Sequence, residues 1–194
     1  MAKEADLTSY KTFLTKLAPL SEAEWVCLRE LLYIKEFEKK ELLQAAGRKC
    51  KTVGFILEGC VRWVRNHNGA DRTFDFAIEQ EFVTDYYSII TKRPCEVDII
   101  AVEKTTMACV DAGKLLKLFD STYSWQKIGR HLAEYVACYS LERLVASYYE
   151  SPQTRYEKLM KTSPKLFLRV PHHILANYLG MTKETLSRLR NPST

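Results

Sequence analysis

The chain has 194 residues, 46% of them hydrophobic and 27% charged, with a net charge of +5. That length suits one large domain or a medium domain plus a small one, and the composition is that of an ordinary soluble globular protein. No apolar run approaches the ~18 residues of a membrane span, and the charged start MAKEADL has no apolar core. A cytoplasmic protein without secretory signal or membrane partner is therefore expected.

In chain order, Leu7, Tyr10, Phe13, Leu14 and Leu17 repeat at helical spacing, and Pro19 breaks the pattern. Ser21-Glu22-Ala23-Glu24 is a capping box that predicts a second helix to about Leu32. From Tyr33 to about Val110 the period changes to two. Strands are predicted at 55–57, 61–64, 73–78 and 97–102, separated by turn signals at Ala46-Gly47, Glu58-Gly59, Asn66-His67-Asn68-Gly69 and Arg93-Pro94. Short strands at this spacing suggest a barrel, sandwich or roll. Its aromatics Trp63, Phe74, Phe76, Phe82, Tyr86 and Tyr87 either line a small-molecule pocket or simply fill a core.

A short helix is expected at 113–119, then a long one from about 121 to 150, about 45 Å at 1.5 Å per residue. It carries two apolar stripes. Trp125, Ile128, Leu132, Val136 and Tyr139 form one, and Leu141, Leu144, Val145 and Tyr148 the other. Two stripes can serve two neighbours, the β domain and a second subunit, or form one wide core face. We assign the first stripe to the subunit interface. Ser151-Pro152 then caps and opens a helix to about 161, and Leu166-Phe167-Leu168-Arg169-Val170 reads as a short strand. The expected organisation is α+β: helices and a jelly-roll-like β-roll over 1–119, the long dimerisation helix over 120–150, and a small winged-helix-like unit over 151–194.

That last unit is the most informative segment. VPHHILANYLGMTKETLSRLR, from Val170 to Arg190, reads as a helix-turn-helix. With His172 as its first position, the fifth is the small Ala176, where the helices come closest. The ninth is Gly180, where the turn needs positive φ. Leu175, Leu179, Met181, Leu186 and Leu189 fall on inward positions, and Thr182 can N-cap the second helix. Thr182, Lys183, Glu184, Thr185, Ser187, Arg188 and Arg190 are left for a partner, and the residues near the N-terminus of such a helix reach base edges in the major groove. Arginine can bind guanine O6 and N7, and glutamate can accept from cytosine N4. The alternative is an amphipathic hairpin with a solvated Glu184–Arg188 pair. The charge distribution favours DNA: residues 151–194 hold 8 Lys/Arg against 2 Asp/Glu, whereas 1–150 hold 21 against 22.

Together, the N-terminal helix, β-roll, long helix and helix-turn-helix resemble the Crp/Fnr family of transcription regulators. The likeness is strongest over 151–190, especially Thr154-Arg155-Tyr156-Glu157-Lys158-Leu159 and the segment 175–188. Phe55-Ile56-Leu57-Glu58-Gly59-Cys60-Val61-Arg62 looks like the family's strand-turn-strand signature. The resemblance implies a homodimer joined along the long helix, two recognition helices reading a palindrome of half-sites about 34 Å apart, and RNA polymerase as a further partner. That half-site spacing is the general one for such dimers, for which the cyclic-AMP-binding relative is a stock example. Glu184, Ser187 and Arg188 match the recognition positions of the Fnr-like branch and imply TTGA-like half-sites. Lys183 stands where the cyclic-AMP receptor's branch has arginine.

Cyclic-AMP-binding relatives hold the cyclic phosphate with a Gly-Glu turn and a following Arg-Ser. Here Thr84-Asp85 and Cys95-Glu96 stand at those places, and a carboxylate beside a phosphate repels it. Arg93 precedes Pro94, which restricts the local backbone. The expected cofactor is accordingly none, with no cyclic nucleotide. The candidate pocket is Trp63, Phe74, Phe76, Thr84, Asp85, Tyr86, Arg93, Cys95 and Ser140. The Fnr branch's N-terminal cysteine cluster is absent from residues 1–26.

Two other readings compete. One is a small-molecule-binding module that reads no DNA. The other is an enzyme, for which His67, His131, His172 and His173 offer little: no HExxH, GxSxG or P-loop occurs. The cysteines, at 27, 50, 60, 95, 109 and 138, form no CxxC motif and are expected to be reduced, packed thiols, with no metal bound.

Overall fold

The computed structural model describes residues 7–190. Its first helices, α1 (Thr8–Leu17) and α2 (Glu22–Arg29), form where the apolar spacing and the capping box place them. The Ser21 Oγ accepts from the Glu24 N–H at 3.2 Å, and the Glu24 carboxylate accepts from the Ser21 N–H at 2.9 Å. The second helix stops at Arg29, because Tyr33 already begins the first strand.

Eight strands follow in two antiparallel four-stranded sheets. The strands are β1 (Tyr33–Phe37), β2 (Leu42–Gln44), β3 (Thr52–Glu58), β4 (Val61–His67), β5 (Ala70–Ala77), β6 (Phe82–Val83), β7 (Asp98–Ala101) and β8 (Thr105–Asp111). One sheet has the order β1-β8-β3-β6, the other β2-β7-β4-β5. A two-residue turn at Asn68-Gly69, both at positive φ, joins β4 to β5 and suits the twist of a hairpin. A short helix, α3 (Tyr86–Thr91), follows β6.

The faces of the two sheets meet over Phe37, Ile56, Val61, Ile99, Met107 and Cys109, which are buried. Trp63 packs against this interior as a half-buried side chain, whereas Phe74 and Phe76 do not fill it. Phe74 is 40% exposed, and Phe76 points toward the C-terminal helices. What space remains between the sheets is about 50 Å³, against the roughly 300–1,000 Å³ of a small-molecule pocket. The lack of a side chain on Gly54 lets Met107 fill it: a Cβ there would stand 2.0 Å from the methionine methyl.

The outer face of the first sheet is covered by helices. Tyr10 stacks on Phe55 with ring centroids 4.3 Å apart. Trp25, Leu28, Leu115, Trp125 and Ile128 complete this core. It joins α1 and α2 to α4 (Ala112–Phe119) and the long α5 (Tyr123–Tyr149). The Thr122 hydroxyl, N-cap of α5, donates to Glu24 at 2.5 Å, tying α2 to the long helix. At 27 residues α5 is about 40 Å long.

The stripes of α5 face the reverse of the expected directions. Trp125 and Ile128 are buried in the protomer's own core, with Leu132 packed against it. Leu141, Leu144, Val145 and Tyr148 are 61%, 53%, 48% and 78% exposed. The first stripe starts beside α4 and the roll, which leaves the second largely exposed.

After α5 come α6 (Pro152–Thr162), α7 (Leu166–Arg169), α8 (His172–Leu179) and α9 (Lys183–Arg190). The expected strand at 166–170 is thus a helical turn. Short apolar runs read either way. Here Leu166, Phe167 and Val170 come to one side only in a helix, which buries them and leaves Leu168 85% exposed. No strand occurs among the described residues of 151–190, so the winged part of the expectation is corrected to an all-helical unit. Residues 191–194 lie outside the described residues.

Candidate nucleic-acid interface and sensor cleft

The α8–α9 pair is built as its residues dictate. Gly180 ends α8 at φ 73°, and the Met181 N–H turns back to the Ala176 carbonyl at 3.0 Å. Thr182 Oγ1 accepts from the Thr185 N–H at 3.2 Å and caps α9. Leu175, Ala176, Leu179 and Leu186 are buried with Leu159, Leu166, Phe167 and Val170. Arg155 closes the turn from below, its Nη2 donating to the Leu179 carbonyl at 3.0 Å and sitting where a Cβ on Gly180 would fall. All seven residues named from the sequence, Thr182, Lys183, Glu184, Thr185, Ser187, Arg188 and Arg190, are exposed. Glu184, Ser187 and Arg188 stand at i, i+3 and i+4 and share one face. Hydrogen bonds from its own N–H and from Thr182 lower the Glu184 pKa, so it stays an acceptor.

A second concave region runs between β4, β5, α3 and the long helix. Trp63, Phe74, Phe76, Thr84, Asp85, Tyr86 and Ser140 line it, with Tyr87, Tyr135 and Tyr139. Arg93 and Cys95 do not. The Arg93 guanidinium donates to the Tyr87 hydroxyl at 3.1 Å. Cys95 is buried, its backbone paired with Gly47 and Arg48. The Trp63 indole N–H donates to the Thr84 carbonyl at 3.3 Å, and Asp85 caps α3 by accepting from the Ser88 N–H at 2.9 Å. Burial pushes the Asp75 carboxyl up, opposed by the Arg143 charge and a 2.6 Å hydrogen bond from the Tyr139 hydroxyl. Burial, then the Asp75 charge, raises the Tyr139 phenol, so it remains a donor at neutral pH.

No sequence pattern pointed to the contacts between the helical unit and the roll. Arg169 of α7 donates through Nη1 and Nη2 to the two Glu79 oxygens at 2.8 and 2.7 Å, and through Nε to Glu103 at 2.9 Å. Burial would raise Glu79, but Arg169 and the Gly59 N–H outweigh it and hold the carboxyl at about 2. Asn177 of α8 lies against the free edge of β5. Its Oδ1 accepts from the Thr73 N–H at 2.8 Å and its Nδ2 donates to the Asp71 carbonyl at 3.1 Å. These partners are 66 to 106 residues apart in the chain, so no local spacing could have revealed them.

All six cysteines are free thiols, and burial pushes Cys60, Cys95 and Cys109 up to about 12, 11 and 11. Among the described residues, no group of three or more His, Cys, Asp or Glu is placed to hold a metal ion, and no helix is long and apolar enough to cross a membrane.

Residues 34–122 match the cyclic nucleotide-binding domain family. Sequence comparison with curated proteins returns no match. Among solved structures, the chain is similar to the catabolite activator protein of Thermus thermophilus, with 20% identity, TM-score 0.56, and coverage of 93% of this chain and 85% of that one. It is similar to a CooA mutant from Carboxydothermus hydrogenoformans, with 16% identity, TM-score 0.69, and coverage of 92% and 83%. It is also similar to FixK2 of Bradyrhizobium japonicum, with 16% identity, TM-score 0.66, and 83% of each chain covered. These identities speak for the fold.

Proposed function

From a chain that carries the cyclic nucleotide-binding domain and the fold of the Crp/Fnr transcription regulators, we propose a homodimeric, sequence-specific DNA-binding regulator controlled at its cleft. The observation that carries this reading is the α8–α9 pair. Its inner face is spent on a core, while every polar residue of α9 faces outward on the basic part of the chain. Glu184, Ser187 and Arg188 read base edges of a TTGA-like half-site, and Lys183 and Arg190 contact phosphate. Two such pairs are brought together by the outward stripe Leu141, Leu144, Val145 and Tyr148. These residues, rather than Trp125 and Ile128, form the interface. The protein works in the cytoplasm and acts through RNA polymerase.

The cleft does not suit a cyclic phosphate. Asp85 already occupies the N-terminus of α3, and Glu96 adds a second carboxylate. Arg65 is paired with Glu96 at 2.7 Å, and Arg93 is turned to Tyr87 outside the lining. At the α3 end of the cleft an anion would meet the carboxylates of Asp85 and Glu96, with the guanidiniums of Arg65 and Arg93 already bonded elsewhere. Aromatic walls favour a planar or apolar signal molecule instead.

Selection of binding sites from random duplex DNA tests the whole reading. A palindrome with two equal half-sites is expected. No enrichment over input would overturn DNA reading and leave a small-molecule-binding module.

A further inference from the structure

We infer that Arg143 is a positioning residue through which the state of the cleft reaches the α8–α9 pair. This deepens the reading just given and rests on it for its functional meaning.

The inference begins at an irregularity in β5. Trp63 pairs with Asp75 and Val64 pairs with Thr73, so Phe74 is an extra residue, a bulge. A bulge removes its residue from the ladder and leaves a carbonyl in search of a donor. The Phe74 carbonyl accepts from Nη2 of Arg143, on α5. Nη1 of the same guanidinium donates to the hydroxyl of Tyr178, on α8, and the guanidinium carbon lies 5.0 Å from that ring's centroid. One turn earlier on α5, Tyr139 donates to Asp75, next to the bulge. Asp75 supplies the negative charge facing Arg143.

One planar fork thus bridges the roll, the long helix and the helical pair. A guanidinium can do this because its donors point in fixed directions to several acceptors at once; an ammonium cannot. Phe74, Asp75 and Tyr139 are also walls of the cleft. A molecule that takes the Asp75 carboxylate, directly or by turning Tyr139 away from it, weakens the charge that helps to hold Arg143 on the Phe74 carbonyl. Tyr178 then loses its charged donor. Tyr178 neighbours Asn177, which holds the edge of β5, and it packs edge-on against Phe76 with centroids 5.0 Å apart. Two consecutive residues of α8 therefore feel the change together, and α9 is aimed by α8. The ligand shifts this equilibrium only by its differential affinity for the two arrangements.

Amide hydrogen exchange on the full-length protein without DNA tests the coupling, with the Thr73 amide and α8 as reporters. Arg143→Gln and Tyr178→Phe are expected to lower protection there about tenfold, the equivalent of one charge-assisted hydrogen bond. Tyr178→Phe keeps its ring and carries the test if Arg143→Gln does not fold. Tyr139→Phe is the decisive variant. Its hydroxyl bonds to the roll, so a local role would leave α8 unchanged, whereas the relay lowers α8 protection by a few-fold. Glu134→Gln, on an exposed part of α5, serves as the control. Unchanged exchange in α8 for Tyr139→Phe, or for Tyr178→Phe, would overturn the inference. Wild-type protein that selects no DNA sequence, while the exchange effects persist, would instead sink the DNA reading and leave the coupling standing.

Discussion

Replacing Arg169 by Gln should loosen the helical unit from the roll. Its guanidinium meets four carboxylate contacts, on Glu79 and Glu103, and its side chain is 20% exposed. A charge-assisted hydrogen bond is worth about 1.5–3 kcal/mol net when buried. Glu79 and Glu103 are 30% and 32% exposed, so solvent screens a large part of that. Against this discount, the variant leaves two neighbouring carboxylates without their cation. The expected loss is about 2–3 kcal/mol, less than the cost of breaking a fully buried pair. With a urea slope of about 2 kcal/mol/M, the unfolding midpoint should fall by about 1–1.5 M. A double-mutant cycle with Glu79→Gln should return a coupling of about 1–2 kcal/mol. A midpoint shift below about 0.25 M, or a cycle that closes to zero, would refute the clamp as an energetic contact.

Arg188→Ala should cost about 1–3 kcal/mol in binding and relax specificity at one base position of the selected site. Equal weakening on all DNA sequences would make Arg188 a phosphate contact instead. Leu144→Glu puts a charge into the outward stripe of α5 and should convert a dimer to monomers in sedimentation; a monomeric wild type, or an unaffected dimer, rules that stripe out as the interface. Acid should weaken the Arg169 clamp. Glu79 is held at about 2, so its contribution is fully present above the ordinary carboxylate range and is lost as pH falls toward 2. The urea midpoint should therefore drop from pH 5 to pH 3, and the drop should be shallower in Arg169→Gln. Parallel slopes would exclude Glu79 as the group responsible.

The α8–α9 helices and the turn between them were legible because each of their determinants is local. A small residue at 176, positive φ at Gly180, a hydroxyl cap at Thr182 and apolar residues at helical spacing act within one or two turns of chain. The strands around 55–57, 61–64, 73–78 and 97–102 were legible for the same reason. β1 and β8 were not singled out within the period-two region, and the short β2 and β6 could not be, because two or three residues hold no period.

Local pattern could not say which way an element faces. Both stripes of α5 have the same chemistry, and only the placement of its start beside α4 and β8 buries Trp125 and Ile128 and leaves Leu144 and Tyr148 outside. Nor could it say that Met107 would fill the roll above Gly54. Leu166–Arg169 is short enough to be strand or helix until Tyr156 and Leu175 come to lie against it. Local pattern was enough for the α8–α9 pair, its outward polar face and the charge around it. Long-range packing set what that pair leans on: a bulged carbonyl at Phe74, the free edge of β5 and the carboxylates of Glu79 and Glu103. Hydrogen bonds and ion pairs between residues 66 to 106 positions apart depend on where the chain returns, and periodicity carries no record of that.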